Sequence, residues 1–219
     1  MVEGGGAPMT TYDRSHRSGA CLSDDHPIDI AALKRGDRGS QDAFYRAYAR
    51  VVLDRVRRLG GPSIDAEDVA HEVFIVAFRR LDAFREEGSL GGWLYGITRR
   101  VVANARRRAA IRRMVGLDQI AEPPAPGLSC EQEVGRRWRR QMVLRALDRV
   151  SSSHREVLVL VDFEERTTAE AAELLQLSVG TIYSRLHYGR KAFAAALRKE
   201  VAARTGVVPE GPLTWGEDI

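Results

Sequence analysis

Residues 167–199 read TTAEAAELLQLSVGTIYSRLHYGRKAFAAALRK, and the periods within them predict two helices joined by a tight turn, the second long and basic. Thr167 and Glu170 have the spacing of a capping box, in which the threonine oxygen accepts a free N–H of the first turn and the glutamate reaches back. The short helix that starts there has Ala171, Leu174 and Leu175 as its apolar side. Gln176, Leu177 and Ser178 break the period. Ser178 is placed to cap a second helix, on which Ile182, Leu186, Phe193 and Leu197 recur at helical spacing. The other side of that helix carries Thr181, Tyr183, Ser184, Arg185, His187, Tyr188, Arg190 and Lys191.

Hydroxyls, guanidinium groups and aromatic rings on one face suit the DNA major groove. Arginine binds guanine O6 and N7 in a bidentate way, and small hydroxyls bond base edges or phosphates. The same amphipathic pattern is also what an ordinary globular helix with a charged outer face shows. Periodicity leaves both readings open, and the short capped helix and tight turn before the basic helix favour a helix-turn-helix reader of duplex DNA.

Upstream of this stretch, Met142, Val143, Ala146, Leu147 and Val150 predict one helix and Val157, Leu158, Leu160 and Val161 another, completing a small helical domain. Gly116 to Gly135 holds Pro123, Pro124, Pro126 and Gly127 without a helical period and reads as an interdomain linker. Before it, Trp93, Leu94, Ile97, Val101 and Val102 mark a helix. Its other positions are Arg99, Arg100, Asn104, Arg106, Arg107 and Arg108, continuing to Arg112 and Arg113 with no acidic residue. Such a run repels itself unless a polyanion is present, so phosphate binding is the reading taken here over a merely solvated face. Trp93 and Tyr95 are candidates for stacking on unpaired bases, although Trp93 fits a core position equally well.

The preceding loop, FREEGSLGG from Phe84 to Gly92, lacks the G-x-x-x-x-G-K-[ST] pattern of a phosphate cradle. From Asp65, Val69, Val73, Ala77 and Leu81 form an apolar stripe with Phe74 and Phe78 beside it, leaving Asp65, Asp68, His71 and Glu72 outside. His71 and Glu72 begin HEVFI, which lacks the second histidine of H-E-x-x-H, so a metal hydrolase has no foothold. A long core helix covers Ala43 to Val56 and ends at Gly60, Gly61 and Pro62.

The 219 residues have room for two small domains, and a net charge of +4 with a pI near 9.3 is mildly basic. The lysines are Lys34, Lys191 and Lys199, so the positive charge is almost all arginine, whose fixed fork suits phosphate and guanine. Cys21 and Cys130 have no neighbouring ligand at metal spacing, and no apolar run is long enough to cross a bilayer. The N-terminus lacks a basic region followed by an apolar one, and the chain reads as cytoplasmic.

With both halves read, DAEDVAHEVFIVAFRRL (65–81) followed by WLYGITRRVVANARRR (93–108) resembles region 2 of the extracytoplasmic-function (ECF) sigma factors of the sigma-70 family. SVGTIYSRLHYGRKAF (178–193) resembles their region 4.2 recognition helix. The resemblance implies an all-α chain of two small helical domains joined by a flexible linker. Residues 28–113 would be sigma region 2, 114–135 the linker and 136–201 sigma region 4, with a disordered N-terminal tail over 1–27 and a C-terminal tail over 202–219. It implies a transcription initiation factor with no catalytic residue, cofactor, metal or small-molecule substrate. The expected partners are core RNA polymerase, through the beta-prime clamp helices and the beta flap, promoter DNA, and an anti-sigma factor able to hold the chain at the inner membrane.

The roles carried over by this resemblance are as follows. Asp65, Asp68, His71, Glu72 and Phe74 contact core polymerase. Arg85, Ser89, Trp93, Arg99, Arg100, Asn104, Arg106, Arg107 and Arg108 read and open the minus-10 element. Ser178, Thr181, Tyr183, Ser184, Arg185, His187, Tyr188, Arg190 and Lys191 read the minus-35 duplex. The chain departs from the pattern at the recognition surface, in Tyr183, His187 and Tyr188, and in three other places. Val150 and Ser151 to Ser153 replace a Leu-Pro, leaving serine to cap the next helix. Gln176 stands where the turn commonly has glycine, at a cost of roughly 1 kcal/mol if left-handed. His71 replaces a glutamine. The principal rival is a free-standing helix-turn-helix regulator that binds an operator without polymerase. An RNA-binding protein or nuclease using the arginine-rich helix would need acidic or histidine ligands near it.

Overall fold

The computed structural model describes residues 28–85, 88–116 and 131–205. The N-terminal tail with Cys21, the proline-bearing part of the linker with Cys130, and the C-terminal tail from residue 206 with Trp215 lie outside the described residues. Within them the expected all-α architecture is found, with no strand: α1 Ile30–Lys34, α2 Arg38–Gly60, α3 Ala66–Arg79, α4 Leu90–Met114, α5 Glu131–Asp148, α6 Ser152–Leu158, α7 Thr168–Leu175 and α8 Val179–Thr205. Two boundaries differ from the sequence reading. Helix α5 already begins at Glu131, inside the stretch read as linker, and α8 runs past Val201 to Thr205.

Local chemistry sets the helix ends. Asp37, Asp65 and Ser89 accept backbone N–H groups at the starts of α2, α3 and α4. Helix α2 stops at Gly61, whose φ of 69° suits a residue without Cβ. Phe44, Val52, Val56, Val73, Phe74, Leu94 and Val102 fill the core shared by α2, α3 and α4. Leu147, Val157, Leu160, Ala171, Ile182, Leu186 and Phe193 fill the second core, in α5 to α8. Each Val, Leu, Ile or Phe side chain among them contributes about 1.5–3 kcal/mol by leaving water.

One expected cap is absent: Ser151 precedes α6 but its side chain caps nothing. The guanidinium of Arg155 organises this turn instead, donating from Nη2 to the carbonyls of Asp148 (2.7 Å) and Val150 (2.8 Å). After α6 the chain widens into a π-helical turn over Val159–Phe163. That turn pushes Val159 across into the first core, while Tyr95 of α4 reaches into the second, so the two units interdigitate.

The seam between the units is polar. Arg55 on α2 donates to both carboxylate oxygens of Glu164 at 2.7 and 2.8 Å, with side chains only 5% and 9% exposed. Arg155 Nη1 donates to Leu59 O at 2.8 Å, and Arg106 Nη1 donates to Gly60 O and Asp148 Oδ1, both at 2.6 Å. Arg99 pairs with Glu156 at 2.8 Å and Arg140 with Asp54 at 2.7 Å. Burial, with Arg106 nearby, pulls the Arg155 guanidinium down to about 10.

Candidate functional site

Three surfaces carry the residues singled out in the sequence. On α8, the apolar stripe of Ile182, Leu186, Phe193 and Leu197 is buried, which turns the opposite side of the helix outward. The Thr167–Glu170 capping box is formed, with the Thr167 N–H donating to Glu170 Oε2 at 2.7 Å and the Glu170 N–H to Thr167 Oγ1 at 3.2 Å. These bonds hold the Glu170 carboxyl below the usual carboxylate range. Helix α7 ends with Gln176 at φ 54°, ψ 48°, so this non-glycine does take the left-handed conformation whose cost put the turn in question. The Leu177 N–H then reaches Ala172 O and the Gln176 N–H reaches Glu173 O, a Schellman closure that satisfies the last carbonyls. Ser178 accepts the Thr181 N–H at 3.2 Å and so caps α8.

The exposed face of α8 is ordered by contacts of its own. Tyr183 and Tyr188 are 59% and 58% exposed, large rings left in water. Tyr183 Oη lies 3.5 Å from the Thr168 hydroxyl at the start of α7, and Tyr188 stacks on His154 and meets His187 edge-on. Ser184, His187 and Lys191 are exposed, with Thr181 and Arg185 half-buried at the edge. Arg185 has no carboxylate partner among the described residues, whereas Arg190 grips Asp162 with both ends of its fork, at 3.0 and 2.5 Å. That bond raises the guanidinium's pKa further and directs Arg190 toward the domain surface beside α8.

On α4, Arg100, Asn104 and Arg107 are exposed, as is Arg85 before it. Ser89 is exposed and its hydroxyl oxygen accepts the Gly92 N–H at 3.0 Å. Trp93 is half-buried, its ring 5.4 Å from that of Phe84 and packed on the first core. The other three arginines are engaged: Arg108 with Glu72 at 2.7 Å, Arg99 with Glu156 and Arg106 with Asp148. The Glu156 bond raises the pKa of Arg99. Tyr95, read as a stacking candidate, is 1% exposed with the Arg55 guanidinium over its ring, and burial pushes its phenol up. Its place between two helical units keeps it from any base in this conformation.

On α3, Asp65 caps the helix, and Asp68, His71 and Glu72 fall on one outer face as expected. Phe74 does not. It is 4% exposed within a cluster with Phe44, Tyr45 and Phe78, because its position on the helix points into the α2–α3 groove. The apolar part of that outer face is Ile75, 50% exposed, with Tyr45 lying over Phe74 at a centroid distance of 4.7 Å. Sequence reasoning missed Ile75, although its spacing of four from His71 and seven from Asp68 places it on the same stripe. Among the described residues no cluster of His, Cys, Asp or Glu is able to hold a metal, and no helix is long and apolar enough to cross a membrane.

Comparison with known proteins agrees with this layout. The family description "Sigma-70 region 2" matches residues 44–111, which span α2 to α4, and "Sigma-70, region 4" matches 140–193, reaching from α5 into α8. The chain is 30% identical to the ECF RNA polymerase sigma factor SigL of Mycobacterium tuberculosis over 159 residues, covering 72% of this chain and 88% of SigL. It is 32% identical to SigE of Mycolicibacterium smegmatis over 180 residues, 80% of this chain and 70% of that one. Among solved structures, CnrH in complex with the cytosolic domain of CnrY has the same fold, with a TM-score of 0.54 at 22% identity, covering 77% of this chain and 94% of CnrH. With both sigma regions matched in order on two helical units, the chain belongs to the ECF sigma factors of the sigma-70 family.

Proposed function

We propose that the three surfaces divide the work of promoter-directed initiation between them. As an ECF sigma factor the chain binds core RNA polymerase and directs it to promoters; it is an initiation factor and not an enzyme. The outer face of α3, formed by Asp68, His71, Glu72 and Ile75 with Asp65 at its start, docks on polymerase. The exposed side of α4 and the loop before it, from Arg85 through Arg107, take the minus-10 strand. Strand separation costs pairing and stacking, and a basic groove with aromatic surfaces offsets that cost. The outward face of α8 reads the minus-35 duplex, Arg185 being the side chain whose fork is not already committed to a carboxylate.

The observation that carries this reading is the segregation of charge between the outer faces of α3 and α4. Asp65, Asp68 and Glu72 stand at the start and on the outer side of α3, while the exposed Arg100 and Arg107 follow on α4. An acidic face is out of place on a DNA-binding surface but suits a protein partner. A protein inhibitor at the inner membrane is a further partner proposed from family membership, the CnrH relative having been solved with the cytosolic domain of CnrY. The test is transcription by purified protein with core polymerase on a genomic library, followed by sequencing of transcript starts. Starts sharing one upstream motif are expected. A polymerase left inert on every fragment, with the chain binding an operator alone, would overturn the reading.

A further inference from the structure

We infer that His154, on α6, is a positioning residue for promoter reading: it holds the Tyr188 ring in one orientation on the outward side of α8, so that two helices set minus-35 specificity together. The inference rests on the reading of α8 as the minus-35 surface and deepens it. Ser184 and Arg185 stand four and three residues before Tyr188, and Lys191 stands three after it. That spacing puts Tyr188, 58% exposed, in the middle of the outward stripe.

Two imidazoles flank that ring. His154 lies against it with centroids 6.5 Å apart and planes 30° from parallel, and His187 meets it edge-on at 5.2 Å and 80°. Both separations fall within the range over which aromatic rings attract. His187 precedes Tyr188 on the same helix and moves with it, whereas His154 comes from another helix and fixes the ring relative to the domain. Gly189, which is buried, makes this approach possible. A Cβ on it would lie 3.2 Å from Leu158 Cγ, 3.3 Å from Leu158 Cδ1 and 3.4 Å from His154 Cβ, tighter than ordinary packing. Glycine inside a helix lowers its stability relative to alanine. Here the missing side chain lets α6 settle on α8 beside Tyr188.

A fixed ring reads DNA differently from a free one. An exposed tyrosine samples several rotamers, and that freedom is lost when the side chain meets a base edge. A ring already held by His154 has less to lose and does not swing to accommodate a different base pair. The tyrosine hydroxyl both donates and accepts, so it distinguishes base edges only when its direction is fixed. The other exposed tyrosine of α8, Tyr183, is held differently, by its hydroxyl 3.5 Å from that of Thr168 on α7, and serves as the control.

The experiment uses core polymerase carrying the full chain or its variants to transcribe a promoter library randomised across the minus-35 element. Sequencing the transcribed templates gives the preference at each base pair. Tyr188→Ala should flatten the preference at one or two adjacent base pairs by at least about fivefold, the low end for a wrong base pair. His154→Ala should flatten the same base pairs by at least about threefold, a coupling of the size that contacting residues show, and leave the others unchanged. His154→Phe, which keeps a ring, should restore them. In a Tyr188→Ala background His154→Ala should change nothing further, whereas in a Tyr183→Ala background its effect should persist. Gly189→Ala, whose methyl presses on Leu158 and His154, should give the same local loss and guards against His154→Ala failing to fold, which thermal melting reads. An even loss at all positions in His154→Ala, a loss at base pairs that Tyr188→Ala leaves alone, or a His154→Phe as poor as His154→Ala overturns the positioning role. A wild-type polymerase that selects no minus-35 motif overturns instead the reading of α8 on which the inference stands.

Discussion

Single residues on the α8 face do different jobs despite similar chemistry. Arg185 lacks a carboxylate partner among the described residues, whereas Arg190 is tied to Asp162. Arg185→Ala should therefore lower discrimination between promoters differing at one minus-35 base pair by about 1–3 kcal/mol, the range of a bidentate base contact. Equal weakening on all sequences would make Arg185 a phosphate contact. Thr167→Ala should cost about 1 kcal/mol of thermal or urea stability by removing the cap of α7. Glu170 sharpens this into a pH test. Its folded carboxyl titrates below its ordinary value of 4.5, so its contribution is present above about pH 4.5 and is lost as the pH falls through the lower folded value. The stability difference between wild type and Glu170→Gln, followed by melting, should be present at neutral pH and fade in acid.

At the scale of helices and turns, what was legible in the sequence and what was not divide by range. Caps and periods are local, so the Thr167–Glu170 box, the Ser178 cap and the buried stripes of α3 and α8 were readable from residues three or four apart. The left-handed residue at Gln176 was flagged only through the resemblance, as the place where the turn commonly has glycine. Gln176→Gly should raise stability by about 1 kcal/mol where the relief of the Cβ clash exceeds the entropy lost by glycine, and a melting curve decides it. The α6 cap was misread because the group that closes that turn is a side chain from inside the helix, Arg155, and not the serine before it. Phe74 and Ile75 are neighbours with opposite fates, and only the placement of α2 against α3 decides which one faces water. Ile75→Asp should leave the fold intact, since the side chain is half in solvent, and reduce assembly with core polymerase in a pull-down.

At the scale of the whole molecule, the relation between domains was the part the sequence could not yield. Arg55 and Glu164 are 109 residues apart, and neither stands out from its local pattern. Tyr95 looked like a base-stacking ring because its helix is basic, and its burial comes from the second core far along the chain. An ion pair at 2.7 Å joins Glu72, on the face proposed to dock on polymerase, to Arg108, on the face proposed to hold DNA, and under that proposal it links the two partners. A polymerase group that draws Glu72 away leaves one more unneutralised cation facing nucleic acid, and by reciprocity DNA that captures Arg108 frees a carboxylate for polymerase. Under the proposed division of surfaces the two ligands then assist each other through a surface counterion. Glu72→Gln should show the two halves of this linkage with opposite signs: weaker assembly with core polymerase, and a steeper salt dependence of DNA binding by the isolated chain, since one fewer internal anion competes with phosphate.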